Sequence, residues 1–267
     1  MTRKKAKVEK HNTKIAILFV IFVCLVILAS LIFRVVHVVS QSKFDGNNRF
    51  TISISNNKNL KILSFSPNTR SISVLKLDGN IKNLNVNKFL GIPIDGFVKA
   101  SFLETNREVA SLMSNIIFDY RRVETNLTIV DVFRLFLVSK TTSLHDTSAV
   151  VISSSLESVR IDEIVAKLFN DSEIEKEDQT IEIVNATSVI GLGARLGRLI
   201  TNMGGKVVQV STDNLQRNSL ILYNGRETYT VRRLSKLLGF KIIQENKQSI
   251  ANIMIVLGED SDNSALF

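Results

Sequence analysis

The chain offers few side chains whose types and spacing suit catalysis. Asp78 follows a strand-like segment, but one carboxylate cannot provide the paired acid and base chemistry of two. The three histidines are scattered and Cys24 is the only cysteine, so no His/Cys spacing indicates zinc. Gly191-Leu192-Gly193 lacks the strand–GxGxxG–helix register of a phosphate loop, and helix packing explains it more simply. We therefore predict no metal site and no cofactor.

Six residues in the C-terminal third are candidates for ligand binding: Asn185, Thr187, Arg195, Arg198, Tyr223 and Arg226. Arg195 and Arg198 are three positions apart, so both would lie on one face of a helix. That face either binds an anionic polymer or is simply exposed to solvent. The residues at 185 and 187 either contact a ligand or form a turn that caps this helix. Tyr223 and Arg226 belong to a Tyr-Asn-Gly-Arg turn, in which the tyrosine ring offers a flat surface for a sugar.

One apolar segment dominates the organisation of the chain. Residues 15–33 hold 19 consecutive uncharged residues, and Lys14 and Arg34 close the segment. A bilayer core of ~30 Å needs ~20 apolar residues in a helix, which satisfies its own backbone hydrogen bonds. A buried core helix is the alternative, but such helices rarely lack a polar face over this length. The segment predicts a single membrane span.

The charge beside this segment predicts its orientation. Residues 1–14 carry six basic side chains and one acidic one, and positive flanks stay in the cytoplasm. The rest of the chain is then expected outside the cytoplasm of a plasma membrane. A cleaved signal peptide is the alternative, with a small-residue site at Ala29-Ser30, but signal h-regions run only ~7–15 residues.

The formal charge of +9 mostly reflects this N-terminal tail. Residues 34–267 hold 28 basic and 24 acidic side chains, and their pattern shows no basic face of the kind that binds nucleic acid. An exterior without cysteine is unusual for a eukaryotic secreted domain and fits a bacterial envelope better. Nucleic acid is therefore not expected as a partner.

The middle of the chain predicts a sheet with flanking helices. Alternating segments at 50–55, 60–65 and 71–77 indicate an antiparallel meander, and a fourth strand is expected at 92–100. Apolar stripes indicate helices at 101–118, 129–138 and 160–169, with Ser101 capping the first and Thr128 or Asn126 the second. Residues 170–179 carry five acids and one lysine without periodicity and are interpreted as a linker.

The C-terminal part alternates strands and helices more clearly. Its strands are expected at 181–184, 207–210, 219–223, 240–243 and 252–257, and its helices at 190–203 and 229–238. Glycines at 204, 205 and 239 would end the two helices. The order βαββαββ predicts both helices on one face of a small mixed sheet.

Within these elements, the sequence IEIVNATSVIGLGARLGRLITNMGGKVVQV resembles the start of the LytR C-terminal domain of LytR-CpsA-Psr envelope proteins. LILYNGRETYTVRRLSKLLGF and NIMIVLGED are similar to its second half and its closing strand. LKILSFSPNTRSISVLKLD and GIPIDGFVKASF are similar to parts of the family's catalytic domain. The resemblance implies a single-pass envelope protein.

The residues that the family uses for catalysis are largely replaced. The resemblance implies an acid before the hairpin, an Arg-Asp pair after it and later arginines that bind a lipid-linked pyrophosphate. Here Lys58 stands at the acid position, Leu77 precedes Asp78, and Arg121-Arg122 is the nearest counterpart of the later arginines. Because phosphoryl transfer needs positive groups or a metal where charge develops, we predict no catalytic residue and only a residual role for Asp78.

We therefore predict an α/β chain of the α+β type: one N-terminal transmembrane helix, a mixed-sheet middle domain and a two-layer βαββαββ C-terminal domain. The expected boundaries are a cytoplasmic tail at 1–14, an anchor at 15–36, a stalk at 37–49, the degenerate domain at 50–169, a linker at 170–179, the C-terminal domain at 180–260 and a tail at 261–267. The expected role is non-catalytic binding or scaffolding on cell-wall glycopolymer or peptidoglycan. An active phosphotransferase and a protein-binding regulator are the alternatives, and the oligomeric state stays open.

Overall fold

The computed structural model describes residues 3–56, 58–78, 86–142, 147–153, 157–245 and 250–263. Helix α1, Arg3–Ser40, contains the apolar segment. Its part from Lys14 to Ser40 has 27 residues, and the most apolar 18-residue window within it has a mean hydropathy of 3.4 and is not buried by protein. The helix continues four residues beyond the predicted anchor. It fits a single-pass membrane protein.

The middle domain is built on a six-stranded sheet. Its strands are β1 Phe50–Ser55, β2 Leu60–Ser66, β3 Ser71–Asp78, β4 Gly96–Lys99, β5 Glu124–Thr125 and β6 Thr147–Ser153. Their order is β5-β4-β1-β2-β3-β6. The meander β1-β2-β3 is antiparallel, as predicted, whereas β4 and β6 add to it in parallel.

Helices cover both faces of this sheet, so β2 is buried along its whole length. The helices are α2 Val86–Leu90, α3 Val109–Phe118, α4 Ile129–Thr141 and α5 Ser158–Phe169. Leu63 and Phe65 of β2 pack in the core beneath α3 and α4. Leu60 and Ile62 point the other way, into the core beneath α2 and α5. This alternation is the two-residue period of a strand buried on both faces.

Two predictions in this domain fail at their boundaries. The helix expected from Ser101 begins only at Val109, and the strand expected at 92–100 is reduced to β4. Leu103 is buried, but it lies in a turn and not in a helix. Its carbonyl oxygen accepts a hydrogen bond from Asn56 Nδ2 at 2.9 Å. Thr128 caps α4 as predicted, because its Oγ1 accepts a hydrogen bond from the backbone N–H of Asp131.

The acidic segment 170–179 is not an irregular linker. It contains helix α6, Ser172–Glu177, whose N-terminus is capped by Asp171 and whose Ile174 is buried in the C-terminal core. Both carboxylate oxygens of Glu177 accept hydrogen bonds at 2.8 Å from the backbone N–H groups of Tyr229 and Thr230. Two of the five acids, Asp171 and Glu177, accept hydrogen bonds from backbone N–H groups at helix N-termini, which otherwise have no partner within the helix.

The C-terminal domain follows the predicted order. It comprises β7 Thr180–Asn185, α7 Leu192–Asn202, β8 Lys206–Thr212, β9 Leu220–Tyr223, α8 Tyr229–Leu238, β10 Lys241–Gln244 and β11 Ile253–Leu257. The strands form a mixed sheet in the order β10-β9-β11-β7-β8, with α7 and α8 packed on one face. Gly204 and Gly239 end the helices with φ of +93° and +74°, a conformation that glycine adopts without strain.

A buried ion pair joins the two domains. Arg233 of α8 donates from Nη1 and Nη2 to the two carboxylate oxygens of Asp95, at 2.7 and 3.0 Å. The side chains are only 6% and 9% exposed. Burial alone would lower the pKa of Arg233, but the carboxylate of Asp95 more than offsets this and raises it. The pair therefore holds α8 against the loop before β4 with both charges present.

A second contact lies at α7. Arg198 pairs with Asp162 of α5 and donates to the carbonyl oxygens of Lys88 and Phe89, each at 3.0 Å. Asn202 Nδ2, one turn later, lies within hydrogen-bonding distance of the carbonyl oxygen of Gly91 and of Asp162. The helices of the C-terminal domain are thus fixed to the middle domain at two separate places.

Candidate functional site

The C-terminal sheet has one covered and one largely open face. In β7, Ile181 and Ile183 pack against the helices, whereas Glu182 and Val184 face the opposite side. The paired strand β11 repeats the pattern, with Met254 beside Glu182 on the side away from the helices. Because the helices cover only one face of the C-terminal sheet, the opposite face stays open, and a groove forms on it.

This groove has a volume of about 490 Å³. Its floor is apolar and comprises Val184, Leu220, Leu222, Met254 and Val256. Its other lining residues are polar, apart from Ala251, and comprise Glu182, Ser211, Thr212, Asp213, Gln216, Tyr223, Asn224, Glu245 and Asn252. A concave apolar floor with a few convergent polar groups is the usual character of a ligand site.

Backbone hydrogen bonds hold one wall of the groove in place. The loop after β8 donates from the N–H of Asp213 to the carbonyl oxygen of Asn185 at 3.1 Å, and from the N–H of Gln216 to that of Ala186 at 2.9 Å. The N–H of Glu259 donates to the carbonyl oxygen of Gln216 at 2.9 Å. Asp213 and Gln216 therefore present exposed side chains from a fixed backbone.

The described lining of the groove carries an exposed negative charge at Asp213. The carboxylates of Glu182 and Glu245 interact with neighbouring groups, and the described residues that line the groove include no Lys, Arg or His. A site of this charge repels polyanions and favours uncharged or amine-bearing chains. It is therefore a poor match for the anionic polymer expected at the arginine pair.

Of the six predicted binding residues, the groove includes one, Tyr223. Asn185 and Thr187 are buried in a turn in which Asn185 Oδ1 accepts hydrogen bonds from both the N–H and the hydroxyl of Thr187. Asn185 Nδ2 in turn donates to the carbonyl oxygen of Val189 at 3.0 Å. Their polar groups are thus engaged within the turn.

The three predicted arginines lie at separate places. Arg198 is held by Asp162 in the domain contact, although the sequence placed it on an open helix face. Arg195 is half-buried on the same helix, and Arg226 is exposed in the turn after β9. The sequence contains one indication of the groove residues that it did not predict. Glu182 is a charged residue within the apolar segment 181–184, and the alternation of a strand places it on the face opposite Ile181 and Ile183.

The residues at the family's catalytic positions share one end of the middle sheet. Leu60 pairs with Leu77, so Lys58 in the turn before β2 and Asp78 at the end of β3 lie at the same edge. Lys58 is exposed, and Leu77 is buried in the core instead of reaching into a site. Arg122 pairs with Asp119 at 3.0 Å and lies 4.8 Å from the ring centre of Phe102. Among the described residues, no three metal-ligating side chains come together.

Comparison with known proteins identifies the C-terminal domain. Residues 178–260 match the family described as LytR cell envelope-related transcriptional attenuator. No curated protein matches the chain. Similar solved structures include the transcriptional regulator YvhJ from Bacillus subtilis, at 12% identity over 41% of this chain and 84% of that one, with a TM-score of 0.31. TagV of B. subtilis is similar at 12% identity over 41% and 86%, with a TM-score of 0.29.

Proposed function

We propose that this chain, which carries a LytR C-terminal domain at residues 178–260, is a membrane-anchored envelope protein that binds peptidoglycan without catalysing transfer. The observation that carries the proposal is the groove on the open face of the C-terminal sheet. Its apolar floor suits the faces of sugar rings and alkyl side chains, and its polar lining residues supply hydrogen-bonding groups.

The charge of the groove favours peptidoglycan over an anionic glycopolymer. Peptide stems carry free amines beside their carboxylates, so an amine can pair with the exposed carboxylate of Asp213, whereas a polymer of phosphate diesters offers that carboxylate only negative charge. Arg198, the residue that would have favoured an anionic ligand, is already paired with Asp162. Of the two wall ligands considered from the sequence, peptidoglycan is the better fit.

The anchor sets the place of action. The basic tail at 1–14 supports an N-terminus in the cytoplasm, so both folded domains would lie between the membrane and the wall. The two ion-paired contacts between the domains, at Arg233 and at Arg198, would keep the groove at a fixed position relative to the membrane. A scaffold that holds the wall at a set distance needs this rigidity.

The test is binding of the full chain in detergent to purified peptidoglycan from which anionic polymers have been stripped. Asp213→Lys should raise the dissociation constant about tenfold, because it replaces an attraction to amines by a repulsion of similar size. Glu108→Lys, a matched charge reversal at an exposed residue of the middle domain, is the control and should leave binding unchanged. Equal binding by both variants would exclude the groove. Preference for unstripped, polymer-bearing walls would favour the anionic ligand instead.

A further inference from the structure

A second cavity lies where the anchor, the middle domain and the C-terminal domain meet. It has a volume of about 210 Å³ and is lined by residues 43–50 after the anchor and by the first turns of α8. Five of its lining residues are basic and one is acidic: Lys43, Arg49, Arg232, Arg233 and Lys236, with Asp45. This is the opposite charge to the groove on the C-terminal sheet.

The position of this cavity is fixed with respect to the anchor. Asp131 of α4 accepts hydrogen bonds at its Oδ1 from Ser42 Oγ at 2.6 Å and from the N–H of Phe44 at 2.8 Å. Arg134 donates to the carbonyl oxygen of Phe44 at 2.6 Å. The segment predicted as a stalk is thus bound to the middle domain directly after α1 ends.

The cavity is also close to the membrane surface. The 27 residues from Lys14 to Ser40 span about 40 Å at 1.5 Å per residue, which matches a bilayer with its headgroups. Lys43 follows three residues later, at most about 10 Å farther along the chain. Lys236 Nζ donates to the carbonyl oxygen of Lys43 at 2.7 Å, so α8 lies at the same level.

Two of the cations inside the cavity are only partly satisfied. Arg49 Nη1 donates to Ser64 Oγ and to the carbonyl oxygen of Leu168, both uncharged acceptors. Arg233 uses its Nη atoms on Asp95, but its buried Nε has no hydrogen-bond acceptor among the described residues. A buried donor without a partner costs free energy, and an anion in the cavity would accept from it. Burial lowers the pKa of Arg49 to about 10, although the nearby charge of Asp171 opposes the shift.

We propose that this cavity binds the phosphate of an anionic phospholipid headgroup in the leaflet beside the folded domains. Phosphate is the fitting ligand because guanidinium groups offer it several N–H donors at once, and a lipid is the fitting source because the cavity opens within headgroup range. The inference rests on the membrane anchorage of the proposed function and is independent of peptidoglycan binding. Headgroup binding would fix the tilt of both domains on the membrane.

The test uses the full chain in nanodiscs of phosphatidylcholine with increasing fractions of phosphatidylglycerol. Hydrogen exchange of residues 43–50 and 229–238 should slow as the anionic fraction rises. Lys236→Gln, at an exposed position, should raise the half-saturating fraction roughly fivefold, the usual worth of one basic residue near an anionic surface. Lys236→Arg should restore it, and Lys241→Gln, an exposed lysine on β10, should have no effect.

Three results would overturn the proposal. Equal protection in discs of phosphatidylcholine alone would mean that the cavity does not select an anionic headgroup. Protection in phosphatidylcholine discs on addition of millimolar glycerol phosphate would assign the cavity to a soluble phosphate. An equal loss in Lys236→Gln and Lys241→Gln would indicate general surface charge only. Peptidoglycan binding measured on the same discs separates failure of this proposal from failure of the groove.

Discussion

Breaking the ion pair between Arg233 and Asp95 should separate the two domains energetically. Arg233→Met would leave the carboxylate of Asp95, which is 9% exposed, with the N–H of Thr51 at 2.9 Å as its remaining hydrogen-bond donor among the described residues. Removing one partner of a buried pair typically costs about 3–5 kcal/mol, since the other charge stays desolvated. For a folded part of this size, that cost corresponds to a fall in Tm of roughly 6–20 °C.

A double-mutant cycle makes the reasoning refutable. Asp95→Leu alone should cost a similar amount, but the double variant Arg233→Met/Asp95→Leu should cost less than the sum by at least about 2 kcal/mol, because no lone charge is left. Urea unfolding of the full chain in detergent, followed by circular dichroism, measures each corner. Lys206→Met is the control, since its pair with Asp178 is exposed and should contribute under about 1 kcal/mol. The pair does not couple the domains if the losses of unfolding free energy in the two single variants add up to that of the double variant. The same conclusion follows if neither single loss exceeds that of the Lys206→Met control.

Further predictions concern the middle domain. Burial and the nearby charge of Lys76 lower the pKa of Lys61 to about 8 from 10.5, so folding is penalised below pH 8 and the penalty fades as pH rises toward 10.5. Lys61→Met should therefore be more stable than the parent protein at pH 7. The gain should be at most about 3 kcal/mol, reduced by the free energy of the lost hydrogen bond to the carbonyl oxygen of Arg107. The difference in stability should shrink as the pH rises to 10.5, and a difference that does not change with pH would contradict this. Asp131→Ala should speed hydrogen exchange of residues 42–50 by tenfold or more, whereas unchanged exchange would mean that the anchor is not fixed through Asp131. The full chain given a prenyl-pyrophosphate glycan, magnesium and peptidoglycan should release no prenyl product above background, and turnover abolished by Asp78→Ala would favour the transferase alternative.

The C-terminal domain was predictable because its signals are local. Its helices end at Gly204 and Gly239, both of which have positive φ, and its strands follow short apolar runs. The helix face of α7 was also read correctly, with Leu196 and Leu199 buried against the sheet. Such features depend on neighbours within a few residues, so they survive without knowledge of the tertiary contacts.

The features that escaped prediction depend on distant partners. β6 is a mostly exposed edge strand, and it forms through parallel pairing with β3 some 75 residues earlier. The turn before α3 displaces a helical pattern because Lys61 donates to the carbonyl oxygen of Arg107, 46 residues away. Arg198 looks like a free surface cation until α5 brings Asp162 to it. The groove itself arises from strands β7, β9 and β11, which no sequence spacing places side by side.

The measurement that tests the central claim most directly is site-specific photo-crosslinking to peptidoglycan in intact cell envelopes. A benzophenone side chain at Gln216, an exposed residue that lines the groove, should attach muramidase-released fragments to the full chain. The same side chain at Arg226, exposed in the turn after β9 but not among the groove residues, should attach none above background. Equal crosslinking at both positions, or fragments attached only at Arg226, would contradict binding in the groove.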